Sequence, residues 1–454
     1  MKARIVLLAS AAALVAVALS LNVASAGRLG PSTTAAPATS AAKAYPAPKV
    51  PGAAALKKKY GGQSITFIGD SVGGSHNRDL ALAKQFTKDT GIKVKVVPHP
   101  AASDASYSQL ARVFSSKSSS FDVAMIDVVW PGAFAPYLVD LKPKLGKASK
   151  QHAQGIVQND TIDGKLVAMP WFGDFGILYY RTDLLKKYGY KNPPKTWTQL
   201  FAMAKKIQDG EQASNPSFSG FVFQGNSYEG LTCDALEWYE SSGAGGFIDN
   251  GKATINNPKG AAILNLFASQ IGKTTPRDVT TYQEGEAHTA FVEGNAAFMR
   301  NWPYAYSIGA DPKTSKIVGK FSVTVLPHTG SSPSVGTVGG WQLAVNKYSK
   351  HVDASIEFVR YMTSAPVQKF NAITNTNVPT IPAVARDRAV VKANPYLKPE
   401  IANVMRVTRP ASSLKTHYNE GSKAIYQGIN QILNGKSANS VLPGIQSQLN
   451  RILR

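Results

Sequence analysis

Three carboxylates and three aromatic rings sit at places where the chain pattern breaks, and together they could hold a polyhydroxylated, uncharged ligand. Asp127, Asp174 and Glu229 can exchange hydrogen bonds with hydroxyl groups, while Phe172, Trp302 and Trp341 can lie beneath a weakly apolar ring face. Asp127 ends the apolar run Phe121-Asp-Val-Ala-Met-Ile-Asp127, which places it at the carboxyl edge of a strand, where open α/β sheets bind ligands; an Asp there equally caps the next turn. Phe172 and Asp174 are two apart, so in an extended segment they point the same way; a structural hinge Asp is the other reading of Asp174. Glu229, between Tyr228 and Gly230, starts a helix, where a carboxylate also meets the helix dipole. Trp302 follows Arg300-Asn301 and precedes Pro303, and Trp341 follows Gly339-Gly340, so each ring has a break from which to face a cleft, against the ordinary reading of core packing. Trp197 and Trp238 lie within helical patterns and are expected in the core.

Other chemistries find less support. Asp174 and Glu229 could be imagined as a glycosidase pair, but their separation is not readable from sequence. Gly225-Asn-Ser227-Tyr-Glu229 lacks the final glycine of a nucleophile elbow. The seven histidines show no helical ligand spacing and no cysteine pair exists, so no metal site is expected, nor is a cofactor, since no phosphate-cradling loop occurs.

The elements that must position these residues belong to a chain of 454 residues with 43% apolar and 17% charged side chains, enough for two lobes and terminal appendages. A net charge of +22 permits an anionic partner, yet no basic-aromatic module appears and nucleic acid is not expected. Lys57-Lys58-Lys59 is the densest basic run. Lys2 and Arg4, an apolar run from Ile5 to about Leu21, and Ala24-Ser25-Ala26 read as a cleaved secretory signal over residues 1–26, with an uncleaved anchor as the alternative. No cysteine lies near the cleavage site to carry lipid, so a periplasmic or secreted protein is expected. The lone Cys233 is expected to pack as a small apolar residue. Residues 27–59, rich in Ala, Pro, Ser and Thr, read as a flexible linker.

Strands are expected at 64–69, 93–98 and 121–127 with a helix carrying Leu80, Leu82, Ala83 and Phe86, the alternation of a doubly wound α/β lobe. From Met169 a second α/β region follows: a helix opened by the Thr196/Gln199 capping box and stopped at Gly210, a strand at 219–223, helices at 233–239, 258–271 and 352–362, and strands at 320–325 and 341–345. The last 60 residues read as mainly helical.

Seven segments in order resemble the carbohydrate-binding group of bacterial extracellular solute-binding proteins that serve ABC importers, the maltose- and trehalose-binding type. They are Phe121–Trp130, Met169–Leu185, Pro193–Trp197, Tyr228–Trp238, Phe291–Trp302, Gly339–Ala344 and Arg409-Pro410. The resemblance, over roughly 62–450, implies a two-lobed clamp with lobe 1 at 60–170 and 336–378, lobe 2 at 171–335 and 379–454, and a di- or oligosaccharide in the cleft. It further implies delivery to separate permease subunits, a monomer, and no enzymatic activity. By resemblance Asp127 accepts sugar hydroxyls, Arg409 donates to sugar oxygens from the second lobe, with Arg406 as the alternative one turn away, and Gly340 lies at the site beside Trp341. A surface salt bridge is the plain reading of Arg409. The family often has Tyr at the position of Phe172, and commonly places a carboxylate where this chain has Ser75, His76 and Asn77.

Overall fold

The computed structural model describes residues 45–72 and 74–454; residues 1–44, which hold the expected signal and most of the expected linker, and Gly73 lie outside the described residues. Strands are named in chain order as β1 (Ser64–Gly69), β2 (Lys93–Pro98), β3 (Val123–Asp127), β4 (Met169–Phe175), β5 (Ile177–Arg181), β6 (Ser219–Val222), β7 (Ala296–Asn301), β8 (Phe321–Thr324), β9 (Val335–Val345) and β10 (Met405–Val407). Among the described residues four further two-residue strands pair into two small hairpins.

Two sheets organise the chain. In the first, β2, β1 and β3 run parallel, and β9 joins antiparallel to β3 and β4 and parallel to β10. The second has the order β8, β5, β7, β6. The β1 and β3 runs are apolar on both faces because helices cover both, as parallel sheets require. On one side Phe67, Phe86 and Phe358 pack edge to face at 5.1–5.4 Å. Behind the second sheet Trp238 stacks on Phe267 at 3.9 Å beside Trp197, so both tryptophans occupy the core expected of them. Truncating either to Ala would cost about 3–5 kcal/mol.

The chain passes from the first sheet to the second through Gly176, between β4 and β5. A Cβ there would lie 1.9 Å from Glu237 Oε1 and 2.6 Å from Arg300 Nη2, so only glycine fits.

Three expectations need correction. The helix opened by the Thr196/Gln199 capping box runs through Gly210 to Glu211, and the glycine is there because Tyr188 OH lies 2.1 Å from where its Cβ would be. The flexible linker does not extend to 59: residues 45–60 pack on the first lobe, with helix Ala53–Tyr60, Val50 and Tyr60 buried, Tyr361 OH donating to Pro48 O at 2.8 Å, and Tyr45 against Phe370. A few large apolar residues at intervals (Tyr45, Val50, Leu56, Tyr60) suffice to anchor it. The strand expected at 341–345 starts six residues earlier at Val335, because its first half pairs with β10, far away in sequence.

Candidate cleft between the two sheets

The carboxyl ends of β1, β2 and β3 converge on a cleft whose other wall comes from the second sheet. Its space is about 700 Å³, counting the part open to solvent. All eight positions singled out from sequence line it: Asp127, Phe172, Asp174, Glu229, Trp302, Gly340, Trp341 and Arg409.

Asp127 ends β3, lines the cleft and caps the next turn. Its Oδ1 accepts from Val129 N at 3.3 Å as a turn cap, and the same carboxylate takes Arg409 Nη2 at 2.7 Å and Nη1 at 3.3 Å. Arg409 also donates to Glu229 Oε1 at 2.8 Å. The pair is therefore not a surface salt bridge: Arg409 is 4% exposed, because Pro410 and the following short helix turn the chain inward under β9. Burial works against the guanidinium charge, but Asp127 and its other neighbours outweigh it and its pKa is raised. Glu229 begins helix Glu229–Ser241, accepts from Tyr418 OH and, at 2.6 Å, from Ser422 Oγ, and burial lifts its pKa despite Arg409. Arg406 lies outside the cleft lining, its guanidinium 3.7 Å from the Phe175 ring centre.

Phe172 and Asp174 project from the same side of β4, as their spacing requires. Asp174 has its Oδ1 buried with no hydrogen-bond partner in the protein; burial, with Asp70 adding, drives its carboxyl pKa well above the ordinary range. Gly340 holds φ at +120°, and a Cβ there would approach Phe172 O to 2.5 Å, so this glycine lets β9 pass close to β4 while Trp341 turns into the cleft.

The two Trp rings rest on different supports. Trp341, half-buried, stacks on His99 at 5.0 Å and meets the edge of Trp130 at 5.6 Å. Trp302 lies 4.0 Å over the Arg300 guanidinium, which is ion-paired to Asp234 at 3.0 Å and Glu237 at 2.6 Å, and its Nε1 donates to Glu284 Oε1 at 3.2 Å.

The sequence reading missed Asp70, Tyr228, Glu284, Tyr304 and Asn377 as lining residues. Asp70 follows β1 directly, the same signal that marked Asp127. It is 5% exposed and pairs with Arg78 Nη2 at 3.4 Å; Arg78 also holds Asp79 at 2.9 Å and donates to Asn371 and Asn377. A carboxylate thus does approach the cleft near Ser75, which lines it, whereas His76 and Asn77 do not. Cys233 is buried as expected, yet also borders the cleft, and burial pushes its thiol pKa well up. Three buried arginines, 78, 300 and 409, are each bracketed by two carboxylates. Among the described residues, no group of three His, Cys, Asp or Glu is placed to hold a metal ion.

A ligand cleft between two α/β lobes, lined at strand carboxyl ends and crossed by β4–β5 and β9, defines a periplasmic-binding-type solute receptor. The chain belongs to the bacterial extracellular solute-binding protein family, whose pattern it matches over residues 74–369. A probable ABC transporter-binding protein of Deinococcus radiodurans is 47% identical over 395 residues, covering 86% of this chain and 93% of that protein. Maltose-bound MalE3 of T. maritima superposes with a TM-score of 0.79 at 35% identity, covering 85% of this chain and 98% of that one. The GacH receptor of Streptomyces glaucescens, solved unliganded and with acarbose, shares the fold at a TM-score of 0.73 and 22% identity, covering 86% and 98%. These relatives are solute-binding proteins rather than enzymes. Among the described residues no helix is long and apolar enough to cross a membrane.

Proposed function

We propose that the cleft binds a neutral di- or oligosaccharide of the maltose, trehalose or sucrose kind and delivers it, as a monomeric exported protein, to the permease of an ABC importer. The observation that supports this most is the pairing of two Trp platforms, Trp341 from the first sheet and Trp302 from the second, across a lining that carries Asp70, Asp127, Asp174, Glu229 and Glu284 against Arg409. Rings stack under sugar faces and carboxylates accept their hydroxyls, whereas an anionic sugar would meet a lining with more carboxylates than cations.

In this reading Asp70 and Asp127 accept hydroxyls from the first lobe. Asp174 sits between the walls, and burial raises its carboxyl pKa, favouring the protonated form that can donate as well as accept. Arg409 ties Asp127 of β3 to Glu229 of the second wall, so it orients both acids while its Nε, unpartnered within the protein, is a further donor. The ligand binds more tightly when both walls touch it, which shifts the lobes toward closure about Gly176 and β9. An affinity of about 1 µM, about 8 kcal/mol, suits a carrier that must also release.

A thermal-shift screen against trehalose, maltose, sucrose, longer glucans, monosaccharides, polyols and sugar acids tests this, since a ligand bound only by the folded chain raises its Tm. The reading requires a shift with a neutral di- or oligosaccharide and none with its uronic acid counterpart. Product formation from the same sugar would contradict the carrier role.

A further inference from the structure

The basic run Lys57-Lys58-Lys59 plays no part in the cleft, and its position in the fold gives it another use. It occupies the last turn of helix Ala53–Tyr60, and Lys88 occupies the last turn of the adjoining helix Ser75–Thr90. Both helices end where β1 and β2 begin: Gly62 N donates to Gly91 O at 3.0 Å, Lys93 N to Gln63 O at 2.8 Å, and Ser64 and Lys93 are register partners. A Cβ on Gly91 would lie 3.7 Å from Lys57 Cγ, and Lys49 and Lys88 both act on Asp89, so Lys49, Lys57, Lys58, Lys59, Lys88 and Lys93 gather at one end of the lobe. All six are exposed.

The carboxylates nearby do not cancel them: Asp89, which accepts from Val50 N and Gln85 Nε2, both at 2.9 Å, keeps its one charge beside Lys49 and Lys88, while Asp353 and Glu357 of the neighbouring helix Val352–Met362, which also act on Lys59, are paired with Lys144 and Arg360. This end of β1 and β2 is the opposite one from the cleft, which Asp70 and His99 approach at the far end of the same two strands, roughly 20 Å away at six residues per strand. A partner seated on the lysines therefore leaves the cleft free. Among the described residues no exposed aromatic ring interleaves with the lysines, since Tyr60 is buried, so the stacking that single-stranded nucleic acids use is missing; a charged lipid surface needs only the charge.

We propose that this lysine pole of the first lobe docks on an anionic phospholipid bilayer, holding the receptor at the membrane without covering its cleft. The test is co-sedimentation of the exported protein with phosphatidylglycerol vesicles and with phosphatidylcholine vesicles, at low and high ionic strength. Binding is expected to phosphatidylglycerol alone, lost at high salt. Lys57→Glu/Lys58→Glu/Lys88→Glu is expected to weaken it by at least about tenfold, whereas the charge-matched Lys191→Glu/Lys252→Glu/Lys313→Glu, on exposed lysines of the second lobe, changes it by less than about twofold. Unchanged Tm in both triple variants shows that neither has lost its fold. Equal weakening by the two triples, equal binding to phosphatidylcholine, or binding to polyphosphate but not to phosphatidylglycerol vesicles would each overturn the proposal.

Discussion

Trp341 and Trp302 present their rings to one cleft from two sheets, on supports of different physical kinds. Beneath Trp341 lie two rings, His99 and Trp130, held by packing; beneath Trp302 lies a guanidinium locked by two carboxylates and by Gln224, whose Oε1 accepts from Arg300 Nη1 at 3.0 Å. The first support tolerates small shifts, since stacking varies slowly with position. The second does not, because removing the cation leaves Asp234 and Glu237 buried without a counter-charge. Glu237 also accepts from Thr337 N on β9 at 3.1 Å and sits against Gly176, so the charged support is bound to both chain crossings. The lesson is that the platform on the second sheet is fixed electrostatically, while the one carried on β9 itself is fixed by packing.

The sharpest way to break this contrast is to remove each support. Arg300→Ala should cost about 3–5 kcal/mol of stability by urea unfolding, whereas His99→Ala should cost about 1 kcal/mol; equal costs would erase the distinction. Arg409→Ala tests the link between the walls: stranding Asp127 and Glu229 should again cost about 3–5 kcal/mol, and it should abolish ligand binding. Next in size, Trp302→Ala and Trp341→Ala should each weaken the ligand by about 2 kcal/mol, some thirtyfold, with little change in unfolding for Trp341→Ala because that ring is half-buried. Glu284→Gln keeps an acceptor for Trp302 Nε1 and should cost about 1 kcal/mol or less in affinity.

A pH effect follows from elsewhere in the two lobes. Burial holds His152 and His288 at a pKa of about 4, below the unfolded value of about 6.5. Between these values the unfolded chain binds protons that the folded chain refuses, so stability falls as pH drops from about 6.5 toward about 4. His152→Gln, which can keep the contact now made with Thr380 Oγ1 at 2.8 Å, should flatten that fall; an unchanged profile of Tm against pH would contradict it.

Much of the cleft was legible because its residues sit at breaks: a strand end for Asp127, alternation along an edge for Phe172 and Asp174, glycine pairs before Trp341. Asp70 carried the same strand-end signal and was passed over because the expected carboxylate was sought five residues later, at Ser75. Glu284 had no local mark: it joins the cleft through a bond to Trp302, a partner 18 residues away brought near by β7. Tyr418 and Ser422, which hold Glu229, are nearly 200 residues from it and read only as one face of helix Tyr418–Leu433. Gly210 misled for the opposite reason, since a glycine needed for Tyr188 looks in sequence like a helix stop.

Calorimetric titration of maltose and trehalose into the protein and into Trp341→Ala tests the central claim most directly. The account predicts saturable one-site binding of at least one of them, near micromolar, and a loss of about thirtyfold in the variant. Saturable binding that survives Trp341→Ala unchanged, or no heat from any neutral sugar beside clear binding of an anionic one, would contradict it.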